Sequence, residues 1–226
     1  MLQKLNNKNN PEISFLIQAL NAVKISYTIF AYDKVASRFQ KPERVFTAEL
    51  YHQLRKKQDE SITEQLNINQ EVTKMVGFSI NDFTINAEPN KQSISAKNGL
   101  NECLGTIDYK RLSPDIVLHK NQNNFERINQ RLICEIKMSG SSQSNIYKDF
   151  RKLLFYKLSR LQFQNAVFIY AGTTDSLKNI IEGLNYTSKE NQSLLKCLKK
   201  HQIIFVVPEK LNDSKEFYHW ETYEIK

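Results

Sequence analysis

Asp115, Glu135 and Lys137 are the residues of this chain whose types and spacing could carry chemistry. Pro114-Asp115 stands in a short apolar run, and Glu135-Ile136-Lys137 follows twenty positions on in another. Two carboxylates and an ammonium brought to one edge of a sheet can hold a divalent cation against a phosphate and position a water to attack it. A phosphodiester is anionic and repels hydroxide, so the site must supply positive charge locally. In this reading Asp115 and Glu135 bind Mg2+ through hard carboxylate oxygens, the Ile136 carbonyl is a further ligand, and water completes an octahedron. Mn2+ could substitute. Lys137 would orient or help deprotonate the attacking water and neutralise charge in the transition state, roles for which arginine lacks a compact, titratable ammonium.

The tripeptide alone says little, because Glu-x-Lys arises by chance in a chain rich in both residues and recurs here as Glu224-Ile225-Lys226. Its setting separates the two. From Arg131 to Met138 the residues Leu132, Cys134, Ile136 and Met138 alternate with Arg131, Ile133, Glu135 and Lys137, which puts Glu135 and Lys137 on one strand face. From Asp115 to His119 the same parity places Asp115, Val117 and His119 together, with Pro114 suited to a strand start. The Asn- and Gln-rich stretch Lys120 to Glu126 reads as a loop, so an antiparallel hairpin brings Asp115 towards Glu135. No acidic strand precedes Glu224.

These residues and the order of elements around them resemble the PD-(D/E)xK nuclease superfamily. Its core runs helix, three strands, helix, strand, and the stretch from about Arg44 to Tyr170, a little over half of the chain, follows that order. The resemblance implies an α/β, restriction endonuclease-like fold with a central mixed sheet flanked by helices. It implies a Mg2+-dependent nuclease, a DNA substrate, endonuclease rather than exonuclease action, and a restriction or defence endonuclease as first choice. A glutamate in the first core helix has its best counterpart in Glu49, which would bind a water of the metal shell or serve a second metal position. Cutting both DNA strands would call for a homodimer, and a protein partner could supply target specificity.

Around this centre, Glu12 to Val23 places Ile13, Leu16, Ile17 and Leu20 at helical spacing, and a helix is expected there that packs on the core or mediates dimerisation. Residues 1–40 are read as an N-terminal helical extension and residues 41–226 as the nuclease-like domain. Glu43 to Lys57 is a second helix with Phe46, Leu50 and Leu54 as its stripe. Phe83 to Ala87 is the expected first core strand, with Glu88 a secondary site candidate although Pro89 opposes continuation. Ser61 to Glu64 has capping-box form, and Lys91 to Asn101 reads as a polar loop. Ser144 is expected to cap a helix running to about Leu161 whose buried stripe includes Ile146, Phe150, Leu153 and Leu154. On another face Lys148, Arg151 and Lys152 form a basic patch that could contact phosphates. A strand over Ala166 to Tyr170, a helical region from Asp175 to about Lys200, and a strand over Ile203 to Val207 complete the reading.

Composition fits a globular domain rather than a disordered chain, with 226 residues and 40% hydrophobic content. A net charge of +8 favours polyanionic partners, though moderate basicity is also common in proteins that touch no nucleic acid. Cys103, Cys134 and Cys197 are an odd, scattered set without metal-finger spacing, for which a reducing cytoplasm is expected. No signal peptide or membrane span is expected. Each candidate also has an ordinary reading. Asp115, Glu135 and Lys137 could be a solvated strand face with surface ion pairs worth roughly 0 to 1 kcal/mol, Glu49 a solvated helix position, and the basic patch a soluble surface. His119 is read as a hydrogen-bonded strand histidine, the aromatics Tyr147, Phe155 and Tyr156 as core, and Asp108-Tyr109-Lys110 as an imitation of the motif. Two rival functions follow: a catalytically silent nucleic-acid-binding or protein-interaction module with a nuclease-like fold, and an RNA-cleaving enzyme.

Overall fold

The structure is a computed structural model that describes residues 2–6, 10–28, 31–33, 38–40, 43–60, 67–70, 103, 114–120, 126–158, 162–211 and 216–226. Along the chain these form β1 (Leu2–Lys4), α1 (Pro11–Leu20), β2 (Ala31–Asp33), β3 (Arg38–Gln40), α2 (Glu43–Glu60), β4 (Asn67–Gln70), β5 (Ile116–His119) and β6 (Gln130–Met138). There follow α3 (Gln143–Leu158), β7 (Asn165–Ala171), α4 (Thr174–Tyr186), α5 (Lys189–Lys200), β8 (Ile204–Leu211) and β9 (Tyr218–Ile225). Among the described residues seven strands make one sheet in the order β1-β9-β8-β7-β6-β5-β4, and β2 pairs with β3 in a separate sheet. The β6–β7 and β7–β8 pairs are parallel and the other sheet pairs antiparallel. The protein is therefore α/β, a mixed sheet with helices on both faces.

The period of two in β6 decides what lies on each face. Leu132, Cys134, Ile136 and Met138 join Ile116 and Leu118 of β5 under α1 and α2, in a core with Leu16, Leu20, Phe46, Leu50 and Leu54. Ile133 and Val117 face the other way, into a core built with α3, α4 and α5 around Phe150, Phe168 and Phe205. The central strand β7 is buried on both faces, which is why Ala166 to Ala171 reads as a continuous apolar run rather than an alternating one. Each fully buried leucine or phenylalanine of these layers contributes about 1.5–3 kcal/mol by leaving water.

The expected β5–β6 hairpin is present, with Val117 opposite Ile133 and Ile116 opposite Cys134. At the N-terminus α1 packs on the core, one of the two roles expected of it, burying Ile13, Leu16, Ala19 and Leu20, while β1, which was not expected, joins the sheet by pairing with β9. Other elements differ from expectation. Ser142, not Ser144, caps α3, its hydroxyl accepting from Asn145 N–H at 3.4 Å. The helical region after Asp175 is two helices, because Ser188 is extended and its hydroxyl caps the second by accepting from Asn191 N–H at 3.3 Å. The strand beside β5 is β4, whose sequence Asn67-Ile68-Asn69-Gln70 has poor strand propensity and is recruited by pairing with an already formed edge. The segments Ser61 to Glu64, Phe83 to Glu88, Lys91 to Asn101 and Asp108 to Lys110 lie outside the described residues.

Cys103 and Cys197 are joined by a disulfide, while Cys134 is a free, buried thiol. Such cross-links are commonest in oxidising surroundings. No described helix is long and apolar enough to cross a membrane.

Candidate functional site

Asp115 lies one residue before β5 and is clamped to β6 twice. Its N–H donates to the Cys134 carbonyl at 3.1 Å, and its carboxylate Oδ2 accepts from Ile136 N–H at 2.7 Å. The last β5–β6 pair is Ile116 with Cys134, so the Ile136 amide would lack a strand partner on that side without this carboxylate. Within a strand the C=O of a residue points to the same side as its N–H, so the Ile136 carbonyl also faces the Asp115 side. It accepts from Lys137 Nζ at 3.1 Å.

Glu135 and Lys137 share the β6 face covered by α3, as their parity requires. Glu135 is buried, 1% exposed, and its Oε1 has no hydrogen-bond partner. Its Oε2 takes Lys152 Nζ at 3.2 Å. Asp149, equally buried, links the two lysines: Oδ1 lies 2.6 Å from Lys152 Nζ and Oδ2 3.0 Å from Lys137 Nζ. Lys137 completes its contacts with Glu43 Oε1 at 3.0 Å, from the first turn of α2. Four carboxylates, Glu43, Asp115, Glu135 and Asp149, thus meet two ammonium groups, Lys137 and Lys152.

Burial first, and then the neighbouring charges, set the acidities of this cluster. Burial pushes Asp115 up to about 6, although the Ile136 amide and Lys137 pull the other way. Burial, then the charges of Asp149 and Asp115, hold Glu135 well above the usual carboxylate range. Burial disfavours the charged form of Lys137, but Asp149 and Glu43 outweigh it and raise its pKa. Lys152 behaves alike, with burial opposed by Glu135 and Asp149. Tyr156 borders the cluster with a buried hydroxyl that lacks a hydrogen-bond partner, and burial followed by the Glu135 charge raises its pKa.

The donors suit a hard divalent ion. Glu135 Oε1 is a buried oxygen with no partner, and Asp115 and the Ile136 carbonyl are oxygen donors beside it in sequence register. Among the described residues no three His, Cys, Asp or Glu side chains are grouped so as to hold a metal by themselves. An ion here would rest on two carboxylates, a main-chain carbonyl and water, and Mg2+ commonly retains several waters in this way.

The structure thus gathers Asp115, Glu135, Ile136 and Lys137 at one end of the β5–β6 pair. It does not bring Glu49 there: that carboxylate accepts from Gln53 Nε2 at 2.7 Å along α2, and the helix presents Glu43 to Lys137 instead. The expected basic face is divided among three environments. Lys148 is exposed. Arg151 is buried and ties α3 to α5 through Asn191 Oδ1 at 2.8 Å and Glu190 Oε1 at 3.3 Å. Lys152 points into the carboxylates. Asp149 was not foreseen, yet a signal for it exists: it sits three residues after Ile146 and four before Leu153, a charge inside an apolar stripe.

Compared with known proteins, the chain matches no family model, no curated protein and no solved structure.

Proposed function

We propose that this chain is a metal-dependent phosphodiesterase acting on DNA, an endonuclease of the restriction or defence kind with a restriction endonuclease-like core. The observation that carries the reading is Glu135 Oε1, a buried oxygen without a hydrogen-bond partner, set in a cluster with more carboxylates than cations. Burying ionisable groups in such imbalance is costly unless a carboxyl takes up a proton or a further cation binds. A bound Mg2+ would polarise the phosphate and lower the pKa of a coordinated water. Asp115, Glu135 and the Ile136 carbonyl would hold that ion, and Lys137 would orient the attacking water and offset charge on the phosphoryl oxygens. The order α2, β4, β5, β6, α3, β7 among the described elements supports the reading, because it runs helix, three strands, helix, strand. The net charge of +8 suits a polyanionic substrate.

One observation favours the rival, a silent module. An ammonium has three donors, and those of Lys137 face Glu43, Asp149 and the Ile136 carbonyl, leaving none for water. Catalysis would need Lys137 to release one of them, and Glu43 is the candidate because its side chain is 30% exposed.

The test is Mg2+- and Mn2+-dependent cleavage of supercoiled, linear and single-stranded DNA by the wild type, Asp115→Ala and Lys137→Ala, with EDTA as control. Metal-dependent cutting by the wild type that both variants lose is the expected result. Equal cutting by all three would refute the site. DNA binding with no cutting by any would transfer the reading to the silent module.

A further inference from the structure

The site described above contains a cation that the reaction does not call for. Lys152 comes from α3, the helix that covers the Glu135 face of the sheet, and its ammonium bridges Glu135 Oε2 at 3.2 Å and Asp149 Oδ1 at 2.6 Å. Asp149 in turn reaches Lys137 through its other oxygen at 3.0 Å. Both bridged carboxylates are buried, and the Lys152 side chain itself is only one quarter exposed. Two carboxylates facing each other across a short gap are what a second divalent ion takes in two-metal phosphoryl-transfer sites. Here that gap is filled by an ammonium, a compact point charge with three donors that can be aimed at both acids. The other oxygen, Glu135 Oε1, has no partner.

We infer that Lys152, held by Asp149, stands in for a second metal ion, so that the site binds one divalent cation, on the Oε1 side of Glu135. Asp149 and Lys152 are positioning residues: they fix the Glu135 carboxylate and link it to Lys137, and they touch neither the bound ion nor the phosphate. This inference rests on the reading of Asp115 and Glu135 as metal ligands.

The number of ions bound tests it without recourse to cleavage. Mn2+ is titrated by calorimetry into the full-length wild type, Lys152→Met and Lys152→Arg, with Mn2+ electron paramagnetic resonance to detect coupled pairs and circular dichroism to confirm that each variant is folded. The wild type and Lys152→Arg are expected to bind one Mn2+ per chain, uncoupled. Lys152→Met, which frees Glu135 Oε2 and Asp149 Oδ1 while keeping the bulk of the stem, is expected to bind two and to show a coupled spectrum. Two ions in the wild type would overturn the inference and leave the metal-site reading standing, as would one ion in a folded Lys152→Met. No Mn2+ bound by folded wild type would overturn the metal-site reading and the inference with it. Should Lys152→Met fail to fold, Lys152→Gln, which also removes the ammonium, takes its place: two ions in the folded variant support the inference and one overturns it.

Discussion

Replacing Asp115 by asparagine should make the protein more stable while abolishing metal binding. The folded protein holds Asp115 up at about 6, against an ordinary value of 3.8, chiefly because the carboxylate is desolvated. A gap of roughly two units, at about 1.4 kcal/mol per unit, corresponds to ~3 kcal/mol. Because the folded pKa lies above the unfolded one, the favourable contribution is complete below pH 3.8 and is lost as pH rises through about 6. Asparagine never ionises, and its side-chain oxygen can still accept from Ile136 N–H, now at 2.7 Å to the carboxylate. In EDTA the two proteins should therefore unfold at similar urea concentrations near pH 4, and Asp115→Asn should gain up to ~3 kcal/mol by pH 8. Saturating Mg2+ should narrow the gap from the other side, since a ligand at about 100 times its dissociation constant adds about 2.7 kcal/mol to the wild type alone. Urea unfolding curves at five pH values between 4 and 8, with EDTA and with Mg2+, measure all of this. A variant that is no more stable at pH 8 than at pH 4, relative to wild type, would refute the view that a buried, underneutralised carboxylate is waiting for a cation.

Lys137→Met should lose cleavage and destabilise the fold by about 3 kcal/mol, because Asp149 stays buried with one cation fewer. Lys137→Arg should recover most of that stability in thermal melts and little of the cleavage, since charge is kept and the compact ammonium is not. Lys148→Ala should weaken DNA binding evenly across sequences and reduce its salt dependence by about one counterion, with unfolding unchanged. Arg151→Ala should instead cost about 1.5–3 kcal/mol in urea unfolding through the lost bonds to Asn191 and Glu190. Glu43→Gln should lower the pKa of Lys137, measurable by NMR of the lysine side chain, because Glu43 is one of the charges that raise it, whereas Glu49→Gln should leave it in place.

Much of the centre was legible in the sequence because strand parity is a local property. Glu135 and Lys137 share a face, and Cys134 and Ile136 share the opposite one, in any strand that spans Arg131 to Met138. The apolar stripes of α1, α2 and α3 were legible for the same reason, since the helical period marks the buried face before any partner is known. Boundaries were less so. Ser142 and Ser144 offer the same hydroxyl, and only the path of the chain leaving β6 decides which one caps α3.

What the tertiary structure alone decided concerns charges meeting across long separations. Glu43 and Glu49 lie on one helix and both are acids, but it is Glu43, in the first turn of α2, that meets Lys137, 94 residues away in sequence. Lys148, Arg151 and Lys152 read as one basic face by spacing, yet α3 is packed on two sides, so α5 takes Arg151 and Glu135 takes Lys152. The polar strand β4 and the terminal strands β1 and β9 carry little period of their own and are set by hydrogen bonding to edges that other segments build. The sequence by itself determined which residues could form a cation site on the β5–β6 hairpin. Only the packing of α2 and α3 over that hairpin decided which acids and which lysines share it, because Coulomb energies depend on distances that sequence spacing does not contain.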